Sequence, residues 1–445
     1  GRPGPTWIDI PANIQNANVD SAQLKGFNPR EYEVSLDPQL EEKVADVVEL
    51  LRSATRPLVH IGQGVRMAGA EEEFFSLVEK YKLPFITARN GNDIAPSDHE
   101  CYAGRPGTFA QRGANFAVQT SDLYLAIGTR LSLAQTGYNA GDYARNAKVI
   151  MVDIDQAELD KDTVPLHLKI KTDAKLFLKE LSRQISQSDL NGEQWSPWLT
   201  QCQEWQKKYP VVLPEYKDQT GSVNSYHFVD ILSDVLTPDD VVVTDMGFAF
   251  QNIHQAFRVK KGQRVMTNCG LAPMGWGLPA AVGACLGSGR KRTTCVAGEG
   301  GLMMTIQELA TINHHKLPVK VFVLNNGGYL TIKQTQELGF EGRLMGINEE
   351  SGLSFPDFMK IAEAHGIKGI RLTSHKDLKK QIEGIMNHDG PVLCEIMMDI
   401  DQMQAPKAIN RRNEDGTMRQ TPLEDSYPFL DPAEIKENLD IVNKL

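Results

Sequence analysis

The feature that most constrains the fold is an alternation of short apolar segments with amphipathic helical patterns, which occurs twice along the chain. In the first half, helix-like stretches separate "PLVHIGQG", "LPFITA", "LYLAIG" and "KVIMVDID". In the second half, they separate "DDVVVTDMG", "QRVMTNCG", "RTTCVAGEG", "VKVFVLNN" and "PVLCEIMMD". Strands that alternate with helices are typical of parallel sheets covered by helices on both faces. The sequence therefore predicts an α/β fold with two doubly wound parallel-sheet domains.

Polar, aperiodic segments divide the chain into units. The predicted units are the end of a third domain at 1–14, a linker at 15–37, a middle α/β domain at 38–185, a linker with a lead-in helix at 186–225, a second α/β domain at 226–402 and a tail at 403–445 that wraps the surface. Within the first unit, "GPTWIDIP" is predicted to be a buried strand. Because the chain begins with Gly and not Met, a trimmed or partial chain is expected.

Composition and charge exclude several function classes. Hydrophobic residues make up 41% of the chain, yet no apolar run approaches the roughly 18 residues of a transmembrane helix. The net charge is −10 and basic residues are not clustered, which argues against a nucleic-acid partner. The six cysteines are scattered without a C-x-x-C pair. This usage favours reduced thiols in a cytoplasmic protein.

The segment from Val296 to Gln336 carries the strongest chemical signal. A strand pattern ends in Gly298-Glu299-Gly300, and the next strand pattern ends in Asn325-Asn326. Ligands of parallel sheets bind at the carboxyl ends of strands, and the N-terminus of the following helix suits a phosphate. Carboxylate, carboxamide and backbone carbonyl oxygens, together with phosphate oxygens, would make a Mg²⁺ site. Each half alone also fits ordinary turn chemistry, so both interpretations stay open at this point.

The combined pattern resembles the thiamine diphosphate enzymes, in which Gly-Asp-Gly is followed after about 25 residues by Asn-Asn. The flanking segments "GLAPMGWGLPAAVGA", "TIQELATINHHKLPVKVFVLNNGGY" and "DMG" resemble acetolactate synthase large subunits. "GRPGTFAQRGANFAVQTSDLYLAIGTRLS" and "VIMVDID" resemble the middle domain of that family, and "GRPGPTWIDIP" resembles the end of its pyrimidine-binding domain. The resemblance covers the whole chain.

The resemblance implies a cofactor and a set of site residues. Glu299, Asn326 and the carbonyl of Gly328 would hold Mg²⁺, and Met274 would bend thiamine diphosphate into its V shape. The residues expected to contact the cofactor are Met246, Gly247, Phe248, Ala249, Ala272, Met274, Gly298, Gly300, Gly301, Asn326, Gly328, Tyr329, Leu330 and Thr331. The catalytic glutamate of the family belongs to its pyrimidine-binding domain, so no catalytic residue is assigned here.

The implied function is a thiamine diphosphate- and Mg²⁺-dependent carboligase or decarboxylase that acts on a 2-oxo acid such as pyruvate. A homodimer or homotetramer is expected, with a pyrimidine-binding domain supplied by an N-terminal segment or by a partner chain. The sequence departs from the family at three places: Glu299 replaces Asp, Phe248-Ala249 replace a Gln-His pair, and Thr335 stands where acetolactate synthases have a Trp that shapes the acceptor pocket. These departures keep a non-catalytic scaffold or regulatory subunit as the alternative. A nucleotide-binding dehydrogenase is disfavoured because no dinucleotide fingerprint is present.

The middle domain of the family binds FAD, ADP or nothing, and these alternatives stay open. Asp153 and Asp155 end a strand pattern, as an acid that binds a ribose would. Acids at strand ends also serve as helix caps. Arg130, after "AIGT", is the residue expected to matter if FAD binds.

Overall fold

A computed structural model of the protein describes residues 2–32, 37–412 and 415–445. Gly1, residues 33–36 of the predicted linker and residues 413–414 of the predicted tail lie outside the described residues. No helix among those residues is long and apolar enough to cross a membrane. The described strands form two parallel sheets and one short antiparallel hairpin. The prediction of two doubly wound α/β units is thereby confirmed.

The first sheet contains the strands β1 (Pro57–Ile61), β2 (Phe85–Thr87), β3 (Leu123–Ile127), β4 (Lys148–Asp153) and β5 (Leu168–Lys171). Their order in the sheet is β2-β1-β3-β4-β5, and every pairing is parallel. From β1 the chain continues to one edge of the sheet, and from β3 it continues to the other edge, so the crevice of this sheet lies between β1 and β3. Alternate strand residues face opposite cores: Val59 and Ile61 join one cluster, whereas Leu58 joins the other.

Helices cover both faces of this sheet, and further helices lie in the segments before and after it. They are α1 (Ala12–Gln15), α2 (Leu40–Ser53), α3 (Gln63–Met67), α4 (Glu71–Tyr81), α5 (Arg112–Thr120), α6 (Leu133–Thr136), α7 (Gln156–Leu159), α8 (Ala174–Ser186), α9 (Ser196–Lys208) and α10 (Pro214–Lys217). The predicted lead-in helix is present as α9. It buries Trp198, Cys202 and Trp205 in a core of the first unit.

The second sheet contains β6 (Val241–Thr244), β7 (Arg264–Met266), β8 (Thr293–Gly298), β9 (Val319–Asn325), β10 (Lys368–Leu372) and β11 (Val392–Met397). Their order is β10-β11-β9-β8-β6-β7, again all parallel. From β6 the chain continues to one edge of the sheet, and from β8 it continues towards the other edge, so the crevice lies between β6 and β8. Phe322 and Leu324 face one core, and Val321 and Val323 face the other.

The helices of the second unit and of the tail complete the molecule. They are α11 (Ser225–Val235), α12 (Phe248–Ala256), α13 (Gly277–Gly287), α14 (Glu299–Met303), α15 (Glu308–His314), α16 (Leu330–Gly339), α17 (Phe358–Ala364), α18 (Leu378–Met386) and α19 (Pro432–Leu439). The tail also forms the hairpin β12 (Asn410–Arg412) and β13 (Met418–Gln420). Single-turn 3-10 helices span Ser21–Gln23, Pro29–Tyr32, Arg89–Gly91, Ala140–Asp142, Gly192–Trp195, Glu349–Ser351 and Asp440–Asn443.

Two predictions of local structure are wrong. "GPTWIDIP" forms no strand, and Trp7 is 93% exposed, because no described strand pairs with the backbone of this segment. The single helix predicted over "LMMTIQELATINHH" is two helices, α14 and α15, joined by turns at 304–307. The break follows from contacts of Thr305, whose backbone N–H bonds to Leu302 and whose hydroxyl donates to the carbonyl of Gly275 at 2.9 Å.

The tail returns to the first unit. Ala408, Leu423 and Ile441 are buried in one of its cores, and Arg112 donates to the carbonyls of Ser426 and Pro428. The tail is thus integrated with the fold and does more than cover its surface, while the domain boundaries at 186 and 403 stay predictions.

Candidate functional site

The carboxyl edge of the second sheet brings three polar residues to the crevice between β6 and β8. Asp245 follows β6, Glu299 follows β8 and Asn326 follows β9. The parallel register pairs Gly298 with Leu324, so the ends of β8 and β9 lie side by side. The sequence prediction that the Gly-acid-Gly and Asn-Asn motifs meet is confirmed for the backbone.

Glu299 is buried, with 2% of its surface exposed. Its Oε1 accepts hydrogen bonds from the backbone N–H groups of Asn326 at 3.1 Å and of Gly328 at 2.9 Å. The carboxylate therefore connects α14 to the loop after β9. Burial raises the pKa of the Glu299 carboxyl to about 7, although these backbone donors act in the opposite direction. A cation at this point would restore the charged form.

Asn326 offers an oxygen that the protein does not use. Its Oδ1 is buried and has no hydrogen-bond partner among the described residues. The neighbouring Asn325 differs, because its Oδ1 accepts from Gly327 at 2.9 Å and its Nδ2 donates to Glu395 at 2.6 Å. Unpartnered buried acceptors are uncommon and costly. Of the asparagine pair, only Asn326 thus presents a free acceptor to a ligand.

The glycines of the site serve two different purposes. A Cβ on Gly298 or on Gly247 would have no atom within 4 Å, so open space lies beside both residues. A Cβ on Gly300 would lie 1.9 Å from the ring of Tyr329, and one on Gly301 would lie 2.3 Å from the carboxylate of Asp245. Gly300 and Gly301 are therefore required by protein packing, independently of the predicted diphosphate contact.

Asp245 is a site residue that sequence reasoning missed. It is 1% exposed, and it accepts from the N–H of Met246 at 2.7 Å and, through both oxygens, from that of Gly275 at 3.1 Å. Burial raises the pKa of its carboxyl, and backbone donors oppose the shift. The niche around it is closed to larger residues at Gly277 and Gly301. Its position at a strand end, in line with Glu299, was the available signal.

Asp245 also fixes the loop that carries Met274. Gly275, with φ +82°, donates to Asp245 and accepts from Thr305 at 2.9 Å, so the chain is held on both sides immediately after Met274. Ala272 adopts the left-handed region with φ +53°, which is costly for a residue with a Cβ. The loop is thereby held in one shape next to the crevice.

The remaining predicted contact residues divide by burial. Phe248 and Ala249 belong to the core of the second unit, and Phe248 packs edge-on against Tyr226 at 6.2 Å. Their side chains therefore face protein, and only their backbone N–H groups can serve a ligand. Met246 and Leu330 are buried, Thr331 is half-buried, and Thr335 is exposed on α16, where its hydroxyl bonds to the carbonyl of Thr331 at 3.0 Å.

The predicted nucleotide residues of the first sheet are engaged by protein partners. Asp155 accepts from Ala157 at 3.0 Å and caps α7, and Asp153 accepts from the N–H of Asp155 at 2.9 Å. Arg130 pairs with Glu158 at 2.8 Å. These contacts match the helix-cap interpretation, and they do not require a nucleotide.

The residues at the edge of the second sheet fit a magnesium ion. A buried carboxylate and a free carboxamide oxygen are the hard oxygen donors that Mg²⁺ prefers. The open space beside Gly298 and Gly247 adjoins the first turns of α14 and α12, where unpaired N–H groups favour an anion. The arrangement fits a metal-bound diphosphate.

Comparison with known proteins identifies similar domains and similar whole chains. The family description "Thiamine pyrophosphate enzyme, C-terminal TPP binding domain" matches residues 245–396, and "Thiamine pyrophosphate enzyme, central domain" matches residues 44–181. The "Acetolactate synthase large subunit" of Cyanidium caldarium is 31% identical over 404 residues, which cover 89% of this chain and 67% of the relative. "Acetolactate synthase isozyme 2 large subunit" of Escherichia coli is 31% identical over 399 residues, covering 90% and 69%. A "Probable acetolactate synthase large subunit" of Methanococcus aeolicus is 30% identical over 417 residues, covering 90% and 68%.

Proposed function

This chain belongs to the thiamine pyrophosphate enzyme family, and we propose that it is a Mg²⁺-dependent carboligase or decarboxylase acting on a 2-oxo acid such as pyruvate. The proposal rests on two residues together. Glu299 has a buried carboxylate, and Asn326, whose backbone N–H donates to that carboxylate, has a side-chain Oδ1 without a partner among the described residues. A chain that served only as a scaffold would gain nothing from an unsatisfied buried acceptor.

The roles proposed for the residues follow from their contacts. Glu299, Asn326 and the carbonyl of Gly328 would hold Mg²⁺, and the N–H groups at the start of α12 and α14 would receive the diphosphate. Met274, held by the bonds that Gly275 makes to Asp245 and Thr305, would support the bent cofactor. Thiamine diphosphate, when bound, supplies a nucleophilic carbon that attacks the 2-oxo acid and accepts its electrons on loss of CO₂.

The proposal includes the surroundings of the site. The pyrimidine end of the cofactor requires a pyrimidine-binding domain, from an N-terminal segment or from a partner chain, and a homodimer or homotetramer would supply it. We propose no nucleotide for the first sheet, since Asp155 and Arg130 already have protein partners. A cytoplasmic location is part of the same proposal.

Calorimetric titration of thiamine diphosphate, with and without Mg²⁺, into the protein together with its pyrimidine-binding domain tests the proposal directly. We expect saturable binding that requires Mg²⁺ and that Asn326→Ala weakens, because this variant removes the free acceptor. Asp153→Asn is the matched control, since it changes a strand-end acid of the other sheet that accepts a backbone N–H. Absence of binding at millimolar cofactor would contradict the enzyme and favour the scaffold alternative.

A further inference from the structure

Lys407 in the tail is a partly buried cation that has no carboxylate partner among the described residues. Its Nζ donates to Oε1 of Gln334 at 3.2 Å and to Oε1 of Gln404 at 3.4 Å, and it lies 5.3 Å from the ring centroid of Phe109. Burial lowers the pKa of its ammonium group. The third N–H of the ammonium has no protein acceptor within the described part of the chain.

Arg89 is a second cation of the same kind, on the same aromatic ring. It is 9% exposed, and its guanidinium carbon lies 5.9 Å from the centroid of Phe109. Its Nη2 donates to the hydroxyl of Thr108 at 3.0 Å and to the carbonyl of Ala134 at 2.8 Å, while its Nε is buried without a partner. Among the described residues, no Asp or Glu forms an ion pair with Arg89.

Arg105, Arg112 and Lys320 also lack a carboxylate partner among the described residues, but each donates to two backbone carbonyls. Lys407 instead donates only to side-chain carboxamides. Lys333, the neighbour of Gln334 in sequence, pairs with Asp401 and lies 3.6 Å from Glu337. A charge that leaves water without an opposite charge raises the free energy of the folded state. Two such cations at one ring therefore form a place where an anion would be stabilised, and the charge-assisted hydrogen bonds to it would be strong.

The cluster borders the proposed cofactor crevice. Gln404 bonds to Gln251 on α12, and Gln334 lies on α16. Gln251 is three residues after the first residue of α12, and Gln334 is four after that of α16, which is about 5 and 6 Å along each helix axis. Both helices begin just after the cofactor loops. Hydrogen bonds of the Lys407 backbone with Tyr427, at 2.9 and 2.7 Å, fix its position.

We propose that Lys407, with Arg89 at the same ring, binds an anionic group of the acceptor substrate, a carboxylate or a phosphate. The inference rests on the proposed carboligase function and names the class of acceptor: an aldehyde or ketone that carries a negative charge away from its reacting carbonyl. The third N–H of Lys407 donates to the anion, and Phe109 covers the apolar part of the acceptor. Lys407 is a binding and specificity residue and takes no part in proton transfer.

Steady-state kinetics with pyruvate as donor test the proposal on the protein together with its pyrimidine-binding domain. The acceptors are succinic semialdehyde, glyceraldehyde 3-phosphate and the uncharged propanal. We expect Lys407→Met to raise KM for one charged acceptor by about 10-fold to 100-fold, the effect of losing a hydrogen bond to a charged group. KM for propanal should not change, and Lys407→Arg should restore most of the loss. The charged acceptor that is affected identifies carboxylate or phosphate.

Lys208→Met is the matched control. The Nζ of Lys208 lies 5.2 Å from the ring centroid of Tyr209, and it also pairs with Glu434 at 3.0 Å. The control variant therefore removes a cation–aromatic contact, as Lys407→Met does, but from a cation that already has a carboxylate partner. This variant should leave every KM unchanged. Equal KM values for the charged acceptors in wild type and Lys407→Met would overturn the proposal. Thermal unfolding checks that the variant folds; removal of a buried cation should not lower its stability.

A binding measurement separates this proposal from the proposed function. If the wild type releases no CO₂ from pyruvate, the proposed function fails, and titration with inorganic phosphate and with succinate decides the anion site by itself. Saturable binding of either probe that Lys407→Met weakens about tenfold or more supports the site. Absence of binding, or binding that Lys407→Met does not change, overturns it.

Discussion

The two sheets of this protein have the same architecture, but their crevices differ in how closely the surrounding loops pack. In the first, the loops after β1 and β3 pack on each other so closely that a Cβ on Gly62 would lie 2.3 Å from the carbonyl oxygen of Gly128. In the second, Gly247 and Gly298 face open space, and Asn326 keeps an unpartnered oxygen. The topology thus provides a place for a site, and individual side chains decide whether it is used.

The acids at the strand ends show the same difference. Asp153 and Asp155 accept backbone N–H groups of their own loop at 2.9 and 3.0 Å, which satisfies them locally. Glu299 instead reaches to the next strand end and is buried strongly enough that the pKa of its carboxyl rises to about 7. Asp153 is buried too, so the difference lies in the partners. Asp153 and Asp155 accept from their own loop, whereas Glu299 accepts from the loop that follows the next strand.

The largest expected effect comes from Glu299→Gln, which removes the charge with little change in size. Mutation of residues that hydrogen-bond to metal ligands lowers metal affinity about 10-fold to 100-fold, so loss of a direct ligand should lower it at least about 100-fold. We expect Mg²⁺-dependent binding of thiamine diphosphate to disappear from calorimetric titrations. Asp153→Asn should bind as the wild type does. Wild-type affinity in Glu299→Gln would remove the distinction between the two crevices.

The pH dependence of stability provides the next largest effect. The pKa of Glu299 is raised from 4.5 to about 7 on folding, so the folded state binds more protons than the unfolded state between these values. The free energy of unfolding of the metal-free protein should therefore fall as pH rises from about 4.5 to 7, by on the order of 3 kcal/mol from this group. Urea denaturation across this range measures the slope. An identical slope in Glu299→Gln would show that another group causes it.

A smaller effect is expected from alanine at the glycines of the two crevices. Gly62→Ala should lower the free energy of unfolding by about 2 kcal/mol, because its Cβ would overlap the backbone at Gly128. Gly298→Ala has room for its Cβ and should keep its stability, but it should weaken binding of thiamine diphosphate. Chemical denaturation measures the free energy of unfolding of both variants, and calorimetry measures their binding of thiamine diphosphate. The reverse result would mean that the second crevice is the closed one.

The smallest expected effect is that of Asp155→Ala. The variant removes the N-cap of α7 and should cost about 1 kcal/mol in the free energy of unfolding, with no change in binding of thiamine diphosphate. Titration of FAD and of ADP into the wild type and the variant completes the test. Nucleotide binding that Asp155→Ala abolishes would make the first crevice a ligand site and overturn the contrast.

Much of the fold could be predicted because it depends on periodicity and strand-end chemistry. The apolar segments at β8 and β9 and the Gly-acid-Gly and Asn-Asn motifs are local patterns, and parallel pairing brings their ends together. The N-terminal strand failed, since a strand also needs a neighbour that pairs with it. The prediction of one continuous helix over α14 and α15 is also wrong, because a hydrogen bond from Thr305 to the distant Gly275 breaks the helix there.

The sequence by itself determined the two α/β units, the family and the pair formed by Glu299 and Asn326, because these depend on residue types at short spacings. Only the tertiary structure decided that Asp245 holds the Met274 loop, that Phe248 faces the core and that Lys407 has carboxamides where a carboxylate would be expected. Each of these depends on which distant segments meet. Burial and hydrogen-bond partners arise from that meeting, and no local pattern contains them.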